Sequence, residues 1–511
     1  MSHAPWLMPH PLRGNPPLVR KLGGGFPARV LLGFAFACLG LAWGVAPPPA
    51  DAAPIAGSEG GVKEDSLHIA QFGPVHLYRT AADPGQVVLF ASGDGGWNLG
   101  VVDMARALAE MGAVVVGFDL PRYLKALGQE GGECAYPAAD LENLSKAVQK
   151  HLGFADYRVP VLVGYSSGAT LVYAVLAQAP PTTFRGGISL GFCPDLEFPR
   201  ILCRGSGLEG TPLPKHNGFL YKSTDKLEVP WIALQGDVDQ VCEPDSTVAF
   251  VRRVHNGVLV LLPKVGHGYA VESRWMPQFR DAYRRILAAP PADTAAKSMA
   301  ELPDLPLEVV PADPAAAPDR DLLVLHITGD GGWGVTDRGL ARELAADGIP
   351  VVGLNSLRYF WKARTPDETA NDVARVLSHF LQEWHKTRIV LVGYSFGADV
   401  LPFVVSRLPA DLRAKVALVA FLGLSSKADF QFHVGSWLGT TSEQALPVRP
   451  EVEKLRGVPM LCFYGRKESD PLCRDLDSTL VRGVVQDGGH RIGSNFQGIV
   501  EEILGRMDLP R

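Results

Sequence analysis

The sequence lacks any excess of positive charge, since 49 lysines and arginines stand against 54 aspartates and glutamates, for a formal net charge of −5. It contains no run of like charges long enough to form a solvated tail. Nucleic-acid binding therefore has no support from composition. The seven cysteines show no metal-ligand spacing, so we expect no zinc site and no other metal or cofactor.

The first fifty residues differ from the rest of the chain. Four basic residues precede or flank an apolar segment at 30–46, and the small-residue site Ala50-Asp51-Ala52 follows it. This order predicts a secretory signal peptide over 1–52. The apolar segment also approaches the length of a membrane span, so an uncleaved inner-membrane anchor is the alternative. Both interpretations predict that the bulk of the chain is exported to the periplasm.

The six cysteines beyond the first segment form an even set, which in an exported protein favours disulfides over buried thiols. Cys462 and Cys473 are the only two in their half of the chain and are expected to pair. The short interval between Cys193 and Cys203 predicts a second local bridge, which leaves Cys134 for Cys242.

Four motifs occur twice in the same order, so the chain is an internal duplication. They are SGDGGW (92–97) and TGDGGW (328–333), LPRYLKA (120–126) and LRYFWKA (357–363), LVGYSSGA (162–169) and LVGYSFGA (391–398), and VGHGYAV (265–271) and GGHRIGS (488–494). We predict an N-terminal domain at 64–288, a Pro/Ala-rich linker at 289–302 and a C-terminal domain at 303–511.

Each copy alternates short continuous apolar runs with helical patterns. Runs such as VPVLVGY and RIVLVGY are apolar throughout, which indicates parallel strands covered on both faces. The predicted fold class is α/β, as two tandem α/β-hydrolase-like domains, each a mostly parallel sheet with helices on both faces.

Ser395 lies between two glycines, after an apolar strand and before a helix, which predicts a nucleophile elbow. A serine hydroxyl needs a base, and His490 follows the last predicted strand. The acid that orients this histidine has two candidates. Asp470, three residues before Cys473, is preferred, and Glu468, three residues after Gly465, is the alternative. The order serine, acid, histidine is that of α/β-hydrolases.

An oxyanion hole is expected beside this serine. One amide should come from Phe396, directly after Ser395, and another from the TGDGGW loop at Asp330 or Gly331. The alternative role of this loop is a tight turn over Trp333, and the two roles are compatible.

The N-terminal copy contains the same residue types. Ser166, Asp239 and His267 form a possible second site behind the SGDGGW loop. We expect the principal activity in the C-terminal copy, where the motifs discussed next are concentrated.

Five segments between about 320 and 495 resemble the VirJ/AcvB family of bacterial virulence proteins. They are TGDGGW, NSLRYFW, RTPDETANDV, LVGYSFGADVLPF and FYGRKESDPLC. The likeness is weaker in the first copy, where Ser167 stands in place of Phe396 and Thr170 in place of Asp399. The resemblance implies a periplasmic α/β-hydrolase that cleaves the aminoacyl ester of aminoacylated phosphatidylglycerol, chiefly the lysyl form. It also implies Ser395 as nucleophile, His490 as base and a membrane phospholipid headgroup as substrate, with components of type IV secretion as possible partners.

A cationic acyl group would need carboxylates near the serine, for which Asp330 and Asp399 are the candidates. Arg358 and Tyr359, which recur as Arg122 and Tyr123, are expected to line the pocket or to brace the fold, with bracing favoured. Two other functions would use the same fold. One is an esterase or thioesterase for soluble substrates, and the other is a non-catalytic adaptor or chaperone for secretion.

Overall fold

The computed structural model describes residues 61–80, 85–214, 217–290, 302–315, 320–433, 444–490, 493 and 495–507. The expected signal peptide at 1–52 and most of the expected linker at 289–302 lie outside these residues. From Ser58 to Arg511 the chain forms one compact unit, and each copy contains one large sheet and one small sheet among the described residues. We call the copies the N-terminal and C-terminal halves. The exact domain boundaries stay predictions.

The N-terminal half is built on a sheet of eight described strands in the order β1-β2-β4-β3-β5-β6-β10-β11. Pairings β1–β2 and β2–β4 are antiparallel, and the others are parallel. A small second sheet contains β7, β9 and β8. The strands are β1 (Lys63–Ile69), β2 (Gly73–Arg79), β3 (Gln86–Ala91), β4 (Ala113–Phe118), β5 (Val161–Tyr165), β6 (Gly186–Leu190), β7 (Asp195–Leu196), β8 (Gly210–Pro212), β9 (Phe219–Tyr221), β10 (Trp231–Gly236) and β11 (Gly257–Leu262).

Helices cover both faces of this sheet, and a separate apolar cluster fills the space on each face. The helices are α1 (Leu99–Glu110), α2 (Leu120–Leu127), α3 (Pro137–His151), α4 (Ser167–Gln178), α5 (Pro244–Val251) and α6 (Met276–Ala288), with short 3-10 helices at Ala70–Phe72 and Glu272–Arg274. The central strands β3, β4 and β5 read as continuous apolar runs because both of their faces are buried.

The C-terminal half repeats this plan with seven described strands in the order β12-β14-β13-β15-β16-β19-β20, in which only the β12–β14 pairing is antiparallel. The seven strands are β12 (Leu307–Val310), β13 (Leu323–Ile327), β14 (Val351–Leu354), β15 (Ile389–Tyr394), β16 (Val416–Leu422), β19 (Met460–Gly465) and β20 (Arg482–Gln486). Two further strands, β17 (Lys427–Ala428) and β18 (Leu446–Pro447), form a separate antiparallel pair. The helices are α7 (Val335–Ala346), α8 (Ser356–Tyr359), α9 (Pro366–Glu383), α10 (Phe396–Arg407), α11 (Ala410–Arg413), α12 (Arg449–Glu453), α13 (Leu472–Asp475) and α14 (Phe496–Met507). The predicted α/β class, with helices on both faces of two mostly parallel sheets, is confirmed.

The strand order places one crevice in each half. In the N-terminal half, β3 pairs with β4 on one side and with β5 on the other, and in the C-terminal half β13 lies between β14 and β15. The connections after these strands therefore diverge, and a crevice opens at the carboxyl ends of the central strands. The glycine-rich loop and the serine of each copy both lie at this edge.

The two halves contact each other through a mixed apolar and polar interface. The Lys150 ammonium donates to the Trp361 carbonyl at 2.6 Å and lies 4.3 Å from the centre of its ring. The Trp361 indole N–H donates to the Phe154 carbonyl at 2.9 Å. Tyr157 packs on the same indole, and Trp361 stacks on Phe432. This interface fixes one wall of the C-terminal site, as described below.

Three disulfides join Cys134 to Cys203, Cys193 to Cys242 and Cys462 to Cys473. The predicted Cys462–Cys473 pair is confirmed, but the predicted Cys193–Cys203 and Cys134–Cys242 pairs are wrong. Cys193 follows β6 at the carboxyl edge of the sheet, beside the loop that carries Cys242. Cys203 instead adjoins the bridge between Ala135 and Leu202, next to Cys134. Tertiary position, which sequence spacing does not reveal, decides both pairs.

Three disulfides are typical of proteins that fold in an oxidising, exported environment. Among the helices of the described segments, none combines the length and apolar character that crossing a bilayer requires.

Candidate active site

Ser395 occupies a strained turn between β15 and α10, with φ 51° and ψ −117°. Close approach of the backbone explains both flanking glycines. A Cβ on Gly393 would lie 2.5 Å from the Gly397 carbonyl oxygen, and a Cβ on Gly397 would lie 2.1 Å from the Ile327 carbonyl oxygen. Any side chain at either position would force the turn apart, so the Gly-x-Ser-x-Gly pattern is a geometric requirement here.

His490 reaches Ser395 from the loop after β20. Its Nε2 lies 2.9 Å from the serine Oγ. The other ring nitrogen faces a carboxylate, which only accepts, so we assign the hydrogen to Nδ1 and the acceptor role toward the serine to Nε2. Gly423, with φ +73°, leaves room for the ring, since a Cβ there would lie 3.0 Å from its Cε1.

The acid beside His490 is Glu468, whose Oε1 lies 2.5 Å from Nδ1. The preferred candidate Asp470 is exposed and makes no hydrogen bond to this imidazole, so the preference for it is corrected in favour of the alternative. The strand end fixes the acid, and Glu468 follows Gly465 by the same three residues that separate Asp239 from Gly236. The two extra residues of the C-terminal half lie after the acid and before Cys473.

The TGDGGW loop passes directly beside the serine. A Cβ built on Gly329 would lie 3.7 Å from the Ser395 Cβ, and Asp330 and Gly331 line the same cavity as Ser395 and His490. Below the loop, Trp333 packs so closely on β14 that a Cβ on Gly353 would meet its ring at 2.3 Å. The loop thus forms both the tight turn and one wall of the site.

Phe396 begins helix α10, so its backbone N–H has no acceptor within the helix and lies at the positive end of the helix dipole. This placement suits an amide that stabilises a developing oxyanion. The oxyanion roles of Phe396, Asp330 and Gly331 stay predictions.

The N-terminal half brings its three candidate residues together in the same way. Ser166 Oγ lies 2.9 Å from His267 Nε2, and His267 Nδ1 lies 2.9 Å from Asp239 Oδ2. Ser166 has φ 55° and ψ −124°, close to the values of Ser395.

The three suggested substrate-binding side chains have different environments. Tyr359 is buried, and its hydroxyl donates to Asp372 at 2.7 Å, which agrees with bracing of the fold.

Asp399 accepts the Ser425 N–H at 2.6 Å and is not among the residues that line the Ser395 cavity. Removal from water raises the pKa of Asp399 well above its usual range, although the hydrogen bonds from Ser425 act in the opposite direction. Arg358 is exposed and lines the cavity.

The cavity at Ser395 has a volume of about 480 Å³ and lies between the two halves. Residues 329–337, Arg358, Ser395 and His490 form one side, while Tyr136, Glu142, Tyr157 and Thr182 of the N-terminal half form the other. Thr182 connects the two sides, since its hydroxyl donates to the Trp333 carbonyl at 3.3 Å. The sequence motifs did not indicate this second wall, because it arises only when the two copies pack together.

Such an arrangement supports acyl transfer. Nε2 of His490 takes the proton of Ser395 as Oγ attacks an ester carbonyl, and Glu468 stabilises the imidazolium that forms. The protonated imidazole then donates to the departing alcohol, and a water molecule hydrolyses the acyl-serine by the same route.

Solved structures that are similar to part of this chain include α/β hydrolases. A dienelactone hydrolase from Anabaena variabilis is 13% identical and covers 45% of this chain and 98% of its own, with a TM-score of 0.32. An α/β serine hydrolase without a lid from Xanthomonas campestris is 21% identical and covers 47% and 100%, with a TM-score of 0.29. Est1E from Butyrivibrio proteoclasticus is 14% identical and covers 44% and 99%, with a TM-score of 0.30. A comparison with curated protein sequences gives no match.

A family model described as bacterial virulence protein (VirJ) matches the chain in two segments. The first, 85–186, contains the glycine-rich loop and Ser166 of the N-terminal half, and the second, 321–510, contains Ser395, Glu468 and His490. Together the segments include more than half of the 511 residues. The chain therefore belongs to the VirJ family of bacterial virulence proteins.

Proposed function

We propose that the C-terminal site is a periplasmic serine hydrolase that releases the amino acid from aminoacylated phosphatidylglycerol, chiefly from the lysyl form. The arrangement of Ser395, His490 and Glu468 supports the ester hydrolysis, and it is the observation on which the proposal rests. The resemblance to the VirJ/AcvB family supports the choice of lipid. The predicted signal peptide and the three disulfides support the compartment.

The charges that line the cavity fit this substrate. Its scissile ester lies between a phosphodiester anion on the glycerol side and ammonium groups on the aminoacyl side. Arg358 makes no ion pair within the described part of the chain, and its guanidinium suits a phosphodiester. Asp330, on the loop beside Ser395, is a carboxylate suited to the ammonium groups. Glu142, on the opposite wall, instead pairs with Lys146 at 3.0 Å.

The proposal is tested with purified protein and vesicles that contain lysyl-phosphatidylglycerol, with release of free lysine as the measured rate. We expect Ser395→Ala to lower the rate by roughly 10³-fold or more, because the nucleophile is lost. Ser66→Ala, which alters an exposed serine on edge strand β1, is the matched control and should retain the parent rate. Lysine release at the parent rate by Ser395→Ala would overturn the proposal.

The role of Arg358 has its own readout. We expect Arg358→Gln to raise KM for the lipid roughly tenfold, since a charge-assisted hydrogen bond contributes about 1.5–3 kcal/mol, and to leave hydrolysis of an uncharged nitrophenyl ester unchanged. Lys362→Gln is the control, because Lys362 lies in the same segment but pairs with Asp156 instead of lining the cavity.

The same assay separates the alternatives. A Ser166→Ala protein that cleaves nitrophenyl esters but not the lipid would have an esterase for soluble substrates at Ser395. A secretion adaptor would cleave neither, and its function in cells would survive Ser395→Ala.

A further inference from the structure

The N-terminal half contains a second triad, which the chemistry proposed for the C-terminal half does not use. Both of its hydrogen bonds, from Ser166 to His267 and from His267 to Asp239, measure 2.9 Å. The imidazole lies against Gly191, whose φ of +63° leaves room for it, as Gly423 does for His490. The glycine-rich loop approaches this serine more closely, since a Cβ on Gly93 would lie 3.0 Å from the Ser166 Cβ, compared with 3.7 Å between Gly329 and Ser395.

The backbone at Ser166 is difficult to explain by packing alone. A positive φ is rare for a residue other than glycine, and it persists only where the surroundings enforce it. The enforcement is visible in Gly164 and Gly168, where an added Cβ would lie 2.1 Å and 2.4 Å from backbone oxygens. A serine retained only for structure would not need this turn, which lifts its hydroxyl toward the imidazole.

The acid of this triad is buried and fully engaged. The Asp239 side chain has no exposed surface and accepts from the backbone N–H groups of Val241 and Cys242 at 2.8 and 2.9 Å. The Gln235 amide donates to its other oxygen at 3.0 Å. Burial of a carboxylate is costly unless it is paired in this way, so the site is built to hold an anion beside the imidazole.

Metal binding is the alternative explanation of this cluster, because ligand atoms of Asp239, Cys242 and His267 lie within 4.8 Å of one another. The Cys242 sulfur, however, is bonded to Cys193 and offers no thiolate to a metal. The remaining two groups make the hydrogen bonds of a triad.

We propose that Ser166, His267 and Asp239 form a second catalytic centre that acts on uncharged esters with an apolar chain, independently of Ser395. The Ser166 hydroxyl attacks the ester carbonyl carbon, and its proton passes to His267 Nε2. The bond from carbon to the alcohol oxygen breaks as His267 returns the proton to that alcohol. Water then adds to the acyl-serine and releases the carboxylic acid and the free serine.

The choice of substrate rests on the side chains of the loops around Ser166. The loop that holds Asp239 also has two exposed apolar side chains, since Val238 and Val241 expose 54% and 68% of their surface. The one carboxylate of the glycine-rich loop, Asp94, accepts a hydrogen bond from Ser167 at 2.5 Å. Neither Ser166 nor His267 lines the cavity that contains Ser395, so the second triad lies apart from that cavity.

The test is active-site titration of the full chain with a fluorophosphonate, followed by mass mapping of the labelled peptides. We expect about two equivalents in the parent protein, one each on the peptides containing Ser166 and Ser395. Ser166→Ala and Ser395→Ala should each take about one equivalent, the double variant none, and the Ser66→Ala control two. In the Ser395→Ala protein, labelling of Ser166 should also remove the remaining hydrolysis of nitrophenyl octanoate.

A parent protein that takes one equivalent, with no label on the Ser166 peptide, would overturn the second centre. This mapping needs no variant, so it stays decisive if Ser166→Ala fails to fold. Because the labels are read separately, failure of the lipid assay at Ser395 would not affect this result.

Discussion

His267 in the N-terminal half exposes 16% of its side chain, whereas His490 in the C-terminal half exposes 43%. Their acids differ in the same direction, since Asp239 is fully buried and Glu468 exposes 10%. Asp239 accepts from three donors besides the histidine, while Glu468 accepts from the Gly465 N–H at 3.1 Å. The two halves thus reach one triad geometry by different routes.

The half with the stronger family likeness therefore contains the less enclosed triad. In the N-terminal half, a short aspartate is clamped by backbone amides and by the Cys193–Cys242 disulfide next to it. In the C-terminal half, a longer glutamate on a longer loop spans the same gap, and the site opens into a cavity formed by both halves. Enclosure favours a fixed geometry, and an open cavity suits a large substrate such as the headgroup proposed above.

Exchange of the acid is the strongest test of this comparison. We expect Glu468→Gln to lower kcat for lysine release by about 10²- to 10⁴-fold, because an amide no longer stabilises the imidazolium. Asp470→Asn alters an exposed neighbour and should change the rate by no more than about twofold. Steady-state kinetics on both variants checks the assignment, and the reverse ranking would restore Asp470 as the acid.

The second test concerns a buried pair that distinguishes the halves. His326 Nε2 and Asp337 Oδ1 lie 2.7 Å apart beneath the TGDGGW loop, at the positions of Phe90 and Val101 in the N-terminal half. We expect Asp337→Val to destabilise the C-terminal half by about 3–5 kcal/mol, since it leaves a buried polar group without its partner.

The double variant His326→Phe and Asp337→Val, which copies the N-terminal half, should recover most of this loss, as measured by urea unfolding. His326 Nδ1 has no hydrogen-bond partner among the described residues, so its replacement also removes an unsatisfied group. A double variant less stable than Asp337→Val would contradict the equivalence of the two positions.

The disulfides offer a smaller contrast. Cys193 and Cys242 are separated by 49 residues, and Cys462 and Cys473 by 11. Because loop closure restricts the unfolded chain more when the loop is longer, loss of the first bridge should cost about 1 kcal/mol more than loss of the second. Paired Cys→Ser variants compared by thermal unfolding test this, and equal losses would show that the native contacts, not loop length, dominate.

The last prediction concerns how the ionisation of Asp399 changes stability with pH. The N-terminal half has Thr170, which does not titrate, at the matching position. A carboxyl with a raised pKa in the folded state binds its proton more tightly there than when unfolded. The contribution of this carboxyl to folding stability is therefore most favourable at low pH. It declines as the pH rises above the ordinary aspartate pKa toward the raised pKa of the folded state.

Asp399→Asn keeps an oxygen that accepts the Ser425 N–H and removes the titration. The variant should therefore gain thermal stability relative to the parent as the pH is raised from about 4 to 8. A constant difference across this range would contradict the raised pKa.

The sequence predicted the features that local geometry fixes. The backbone of one turn requires the glycines around Ser395, and the end of the last strand fixes the position of the histidine. The duplication is visible because four motifs recur in the same order. Alignment on Cys473 favours Asp470, whereas alignment on Gly465 identifies Glu468. Gly465 ends strand β19 and so fixes the position of the acid, but Cys473 lies in the following helix α13. The Cys193 and Cys203 partners, and the wall formed by Glu142 and Tyr157, depend on packing between distant segments. No spacing along the chain encodes such contacts.

The most direct measurement of the central claim is titration of Ser395 in the Ser166→Ala protein, with lysine release from lysyl-phosphatidylglycerol followed as labelling proceeds. We predict that the rate falls in proportion to the fraction of Ser395 labelled and reaches zero at one equivalent. Lysine release that continues after Ser395 is fully labelled would contradict the account.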